Sequence, residues 1–211
     1  MIGRWELIMK TLVISAAIVG AVVSASAQAT LYDNGPINGT AAWIINDGYA
    51  VSDSFALANA ATIGAITVGL WEPEGGGLAS LDWSITTSAL GGTTLASGTA
   101  SSFTTVYAGP TAVSYDLYSE TFSVNAALAA GNYWLQLDNA DTSPGGYTIA
   151  WDENDGPSSA VQTNMGALPG SESFALTAVP EPTTLALSAL GAASLLIVRR
   201  RRAEAPSMPL N

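Results

Sequence analysis

The chain has 211 residues and a formal net charge of -11, and its six basic residues, Arg4, Lys10, Arg199, Arg200, Arg201 and Arg202, stand only at the two ends. From Thr11 to Val198 there is no lysine, arginine or histidine, and no cysteine occurs anywhere. Such a middle cannot neutralise phosphates, form a Schiff base, offer an imidazole or thiol, or close a disulfide, which excludes nucleic-acid binding and the common nucleophile-base pairs.

Residues 1–29 read as a signal peptide. Lys10 precedes an apolar run from Leu12 to Val23, and small residues follow, so that both Ala25-Ser26-Ala27 and Ala27-Gln28-Ala29 fit small-x-small cleavage, ending at Ala27 or Ala29. Glu6 spoils the charge of a leader that begins at Met1, which favours Met9 as its start. An N-terminal anchor is the competing reading, and the short core with small flanks argues against it.

Residues 30–178 read as one β domain. "AITVGLW" puts Ile66, Val68 and Leu70 on one face, "SLDWSIT" does the same for Leu81, Trp83 and Ile85, and "NYWLQLDN" for Tyr133, Leu135 and Leu137. "YTIAWD" aligns Tyr147, Ile149 and Trp151, while "ESFALTA" aligns Phe174 and Leu176. In "YDLYSETFSV" the apolar parity changes between Leu117 and Phe122, which predicts a bulge near Ser119-Glu120. "DNGP", "PEGGG", "SPGG" and "NDGP" supply turns, and no stretch has helical periodicity. The fold class expected is all-β, an antiparallel two-sheet sandwich of jelly-roll type.

Three constellations carry the chemistry. Trp134 shares the polar face of its strand with Gln136 and Asp138, an aromatic plane beside an amide and a carboxylate, as a sugar ring requires. Trp71, beside Glu72 and Glu74 in a glycine-rich stretch, is a second candidate for glycan binding, whereas Trp83 and Trp151 read as core. Asp152, Asn154 and Asp155 in "WDENDGP" offer oxygen ligands for Ca2+, although their spacing misses the EF-hand loop and also suits a turn capped by its own side chains. Apart from that ion no cofactor is expected. Paired carboxylates are the only acid-base apparatus left, with Glu72, Glu74, Asp82, Glu120 and Asp138 as candidates, so a glycoside hydrolase or lyase is the alternative to a non-enzymatic protein. The sequence singles out no pair among them. Asn38-Gly39-Thr40 reads as a turn.

The tail completes the reading. After Val179 come Pro180, Glu181 and Pro182, then 16 residues, Thr183 to Val198, of which seven are Leu, Ile or Val. The cluster Arg199, Arg200, Arg201 and Arg202 closes the run. As a helix the apolar run reaches about 24 Å, short of a hydrocarbon core of about 30 Å. The four arginines stay cytoplasmic by the positive-inside rule, as does Lys10, so the nascent chain forms a hairpin with its acidic middle outside. This order of motif, short transmembrane helix and arginine cluster resembles the PEP-CTERM sorting signal of Gram-negative bacteria, and residues 179–202 are identified as such a signal, with 203–211 as a cytoplasmic remainder.

That resemblance implies a membrane-embedded exosortase as partner, following export through the Sec machinery and a transient stay in the inner membrane. It also implies transfer to the cell surface or an exopolysaccharide matrix. "VSDSFAL" and "AAGNYWLQLDNA" are similar to β-sandwich domains found upstream of such tails, which bring no assigned activity. The expected role is therefore structural or adhesive, in a biofilm or polymer layer, with extracellular polysaccharide as the ligand class. A tail-anchored protein with a stop-transfer cluster is the competing reading, and the short span argues against it.

Overall fold

The structure is a computed structural model and describes residues 28–111 and 113–179. The expected signal helix with its cleavage residue Ala27 lies outside the described residues. So do the sorting motif Pro180, Glu181 and Pro182, the C-terminal helix, and the arginine cluster of Arg199, Arg200, Arg201 and Arg202. Among the described residues there is no helix, and none is long and apolar enough to cross a membrane.

Fourteen strands follow one another: β1 (Thr30–Asp33), β2 (Ala41–Ile44), β3 (Ala50–Leu57), β4 (Ala61–Pro73), β5 (Gly77–Ser88), β6 (Gly91–Ala100), β7 (Thr104–Pro110), β8 (Tyr115–Leu128), β9 (Gly131–Ser143), β10 (Ala150–Asn154), β11 (Ala160–Gln162), β12 (Gly166–Ala167), β13 (Ser171–Glu172) and β14 (Phe174–Ala178). Every pairing is antiparallel. They form two sheets. The six-stranded sheet runs β12-β11-β3-β9-β5-β6, and the eight-stranded sheet is organised around β4, which pairs β8 along one side and β14 and β10 along the other. Consecutive strands repeatedly change sheet, as β3, β4 and β5 do, so that local hairpins alone do not hold the fold together.

Alternation built the core as expected. Ile66, Val68 and Leu70 of β4 face Leu81 and Ile85 of β5 and Leu135 and Leu137 of β9 in one cluster, all buried, together with Phe122, Trp151, Phe174 and Leu176. Each such side chain removed from water contributes roughly 1.5–3 kcal/mol. Trp151 is fully buried, and its indole N–H donates to the Ser173 carbonyl at 2.9 Å, which answers the polar end of that ring. Trp83 packs against the same core from a half-buried position.

Two strand readings need correction. Tyr147 does not continue the strand of Ile149 and Trp151: β10 begins at Ala150, and Tyr147 is exposed in the preceding loop. The parity change in β8 does not mark a bulge at Ser119-Glu120, because register with β4 is unbroken from Tyr115 to Ser123. The shift lies beyond Ser123, opposite Ile63–Ala65. Leu117 and Tyr115 are apolar because they serve a second cluster, with Trp71, Ala150, Ile37 and Ala42.

A buried acid organises the loop that reaches this cluster. Asp152 accepts the backbone N–H groups of Asn38 and Gly39, both at 2.9 Å, and the Trp71 indole N–H at 2.7 Å. The Asn38-Gly39-Thr40 turn is closed by the Asn38 side chain, which accepts the Thr40 N–H, with Gly39 at φ 68°. Asn154 fastens the same loop from its other end, donating to the Asn34 carbonyl at 2.8 Å.

Candidate functional site

The outer face of the six-stranded sheet presents Trp134, Gln136 and Asp138 together, all half-buried. Directly paired residues of an antiparallel sheet share a face, and the registers therefore lay out three rows across four strands. Ser54, Trp134, Thr86 and Thr94 form one row, Ser52, Gln136, Ser84 and Ser97 the next, and Ala50, Asp138, Asp82 and Thr99 the third. Small hydroxyl and methyl side chains surround the indole. Gln136 donates to Asp138 at 2.7 Å, and Asn139 donates to Asp82 at 3.1 Å, which fixes both carboxylates as oriented acceptors. At one end the face opens into a cleft of about 420 Å³ between Trp134, Asn132, Tyr133, Ser54, Tyr32 and Ser158.

Trp71 does not belong to such a surface. It is 8% exposed, lies in the second cluster and spends its indole N–H on Asp152, because the 34–40 loop closes over it. The sequence shows Trp71 among glycines and acids, and nothing in it marks that distant upstream loop as the lid.

The three residues of "WDENDGP" do not converge either. Asp152 is occupied by three N–H donors, Asn154 is held by Asn34, Gly156 and Ser171, and Asp155 is exposed. Asn154 Oδ1 accepts the Gly156 N–H at 2.9 Å, the capped turn that this composition also suited. Among the described residues no group of three or more acidic side chains converges on one metal position.

Of the five candidate carboxylates the fold brings together Asp82 and Asp138, opposite one another on the Trp134 face, and Glu72 and Glu120 in a cleft. Glu72 at the end of β4 and Glu120 in β8 both point inward, and both are buried, at 3% and 1% exposure. They line a solvent-reaching cleft of about 310 Å³ with Tyr118, Thr105, Leu78 and the glycines 75 to 77. Glu72 Oε2 accepts the Leu78 N–H at 2.9 Å, and Glu120 Oε2 accepts the Thr105 hydroxyl at 2.9 Å. No protein donor reaches Glu72 Oε1. Burial raises the Glu72 carboxyl to about 7, and the adjacent Glu120 carboxylate adds to the shift. Burial raises Glu120 as well. The two lie within hydrogen-bonding reach of each other, closer than the separation of about 5 Å or more that glycosidases keep between their carboxyls. Glu74 is exposed, and Asp82 and Asp138 belong to the Trp134 face.

A further group of acids escaped the sequence reading. Asp53 of β3 and Glu172 of β13 are fully buried, and Glu153, directly opposite Glu172, is half-buried with a carboxylate that accepts the Trp43 indole N–H. Asp53 Oδ2 accepts the Glu172 N–H at 2.6 Å and the Asn34 amide at 3.1 Å, and its Oδ1 accepts the Ser54 N–H at 2.6 Å. Among the described residues neither oxygen of Glu172 has a partner. Desolvation pushes Asp53 up to about 6 against those hydrogen bonds. It pushes Glu172 well above the usual carboxylate range, reinforced by Asp53, Glu153 and Asp152. In sequence, "SDSF" and "SESF" look like solvated charge, and only the sheet pairing encloses them.

Against known families, residues 178–202 match the PEP-CTERM protein-sorting motif. That span contains Pro180, Glu181 and Pro182 and ends on Arg199, Arg200, Arg201 and Arg202, the residues on which the resemblance rested. The chain thus carries an exosortase-type sorting signal, which marks an exported protein directed to the bacterial cell surface. No curated protein was found to match the chain.

Proposed function

We propose that the chain is a structural or adhesive component of the extracellular polymer layer, and that its β domain holds glycan on the Trp134 face. The observation that carries this is the three-row surface, where one half-buried indole stands in register with hydroxyls, an amide and two carboxylates. Sugar C–H groups stack on such a ring while hydroxyls meet fixed acceptors. Binding should quench or shift tryptophan fluorescence on titration with acidic-polymer and neutral oligosaccharides. Trp134→Ala should weaken it by roughly tenfold, the scale of one aromatic contact. A wild-type protein silent across a glycan array, or a variant that binds equally well, contradicts the reading.

The route proposed is Sec export in a Gram-negative cell, a transient stay in the inner membrane and cleavage by exosortase near Pro180-Glu181-Pro182. The Ala29 carbonyl accepts the Ala178 N–H at 2.8 Å, which favours signal cleavage after Ala27 because that position retains this first ladder bond. Intact mass of the natural protein should show both ends trimmed, and replacing Arg199, Arg200, Arg201 and Arg202 together by alanine should leave the tail attached. A product embedded in the inner membrane with its arginines in place would overturn the route.

A carboxylate-dependent glycosidase is the competing reading, and Glu72 and Glu120 are the candidate pair that lines a cleft. Their close approach leaves no room for the scissile oxygen and a water between them. Turnover of any polysaccharide that Glu72→Gln abolishes would establish it instead.

A further inference from the structure

We infer that Glu72 and Glu120 form a calcium site in the cleft between the end of β4, the start of β5 and the β7-β8 hairpin. Three observations converge there. Two buried carboxylates face one another at the wall of an open cleft, and Glu72 Oε1 has no donor. One oxygen of each is already oriented, Glu72 Oε2 by the Leu78 N–H and Glu120 Oε2 by the Thr105 hydroxyl. No lysine, arginine or histidine exists between Thr11 and Val198 to balance the pair from within, so what relieves it, a proton or a metal ion, comes from solution.

The surroundings suit a large oxygen-loving ion. Calcium takes six to eight oxygens in flexible geometry and keeps waters, whereas magnesium demands a tight octahedron. The glycine-rich turn leaves the cleft unobstructed: Gly76 N–H donates to the Pro73 carbonyl at 3.0 Å, and Gly75 takes φ 84°, a left-handed conformation glycine adopts freely. Gly76 itself lies so close to Tyr147 that a Cβ there would come within 2.8 Å of the ring, so a glycine suits this position of the cleft wall. The interior acids Asp53 and Glu172 have no comparable opening among the described clefts, and Asp53 is already saturated with donors.

Calorimetric titration of the full chain with calcium chloride tests the site. One ion should bind with a dissociation constant of about 10⁻⁴–10⁻³ M, the range of extracellular modules, and magnesium should bind more weakly. Saturating calcium should raise the unfolding midpoint of the wild type by about 2–5 °C over EDTA, a measurement that needs no variant. Glu72→Gln and Glu120→Gln should each weaken binding by about tenfold or more while Glu172→Gln leaves it unchanged. A wild type with neither calcium heat nor a calcium-dependent midpoint overturns the site. So does retention of full affinity in both cleft variants, or its loss in Glu172→Gln alone, which would move the ion into the interior.

Discussion

Acidification from about pH 7 to about pH 5 is expected to raise the thermal unfolding midpoint of this protein, the reverse of ordinary acid denaturation. Asp53 titrates near 6 in the fold against an ordinary 3.8, because desolvation outweighs the hydrogen bonds it accepts. A carboxyl whose folded pKa is raised holds its proton more tightly folded than unfolded. Its contribution to stability is therefore complete below the unfolded pKa and is lost as pH rises through the folded one. One pH unit below 6 returns about 1.4 kcal/mol from Asp53 alone, or about 3–6 °C in a domain of this size.

Glu172 acts in the same direction in whatever pH range it titrates, since burial and its acidic neighbours raise it. Melts in EDTA at the two pH values provide the check. A midpoint that falls on acidification would mean that these carboxylates are ionised and paired in the fold. Glu172→Gln should flatten the part of the profile that Glu172 contributes, as an amide in its place cannot ionise.

Asp152→Ala should destabilise the domain by about 2–4 kcal/mol, because the buried Trp71 indole loses its acceptor, at about 1–3 kcal/mol, and two part-exposed backbone donors each lose a hydrogen bond. The donors are the backbone of Asn38 and Gly39 and the indole of Trp71. Release of the 34–40 loop would also wet Trp71, so the folded variant should show red-shifted emission relative to wild type. Asp152→Asn keeps one acceptor oxygen and should recover part of the loss. The acid burial that raises Asp152 does not reverse this result, since removal of the side chain leaves the buried Trp71 indole N–H without its acceptor whatever the charge on Asp152. Chemical denaturation with fluorescence detection measures both effects, and a loss under about 1 kcal/mol in Asp152→Ala would show that the loop is held by its apolar contacts instead.

Much of the architecture was legible in residue order. Alternation in β4, β5, β9 and β14 identified the core-facing side chains by number, because one buried face imposes a period of two on any strand. The same logic failed at Leu117 and Tyr115, where both faces of β8 are covered and period-two reasoning mistakes a second cluster for a bulge. It failed again at Tyr147, where apolar character in register with Ile149 did not extend the strand. For the sites, Trp134, Gln136 and Asp138 stayed together because they sit on alternate positions of one strand. Trp71, Asp152 and Asn154 do not present an open site, because a loop from the far N-terminal side of the domain covers and binds them.

The amino-acid order by itself determined the address, the absence of cations from the middle and the alternating faces, since these depend on charge, length and local periodicity along a single segment. Only tertiary structure decided which acids meet. Glu72 and Glu120 are 48 positions apart, and Asp53 and Glu172 are 119 apart. Strand pairing and sheet stacking bring them within reach, and the low dielectric this creates turns ordinary surface-type carboxylates into proton-holding and cation-seeking groups.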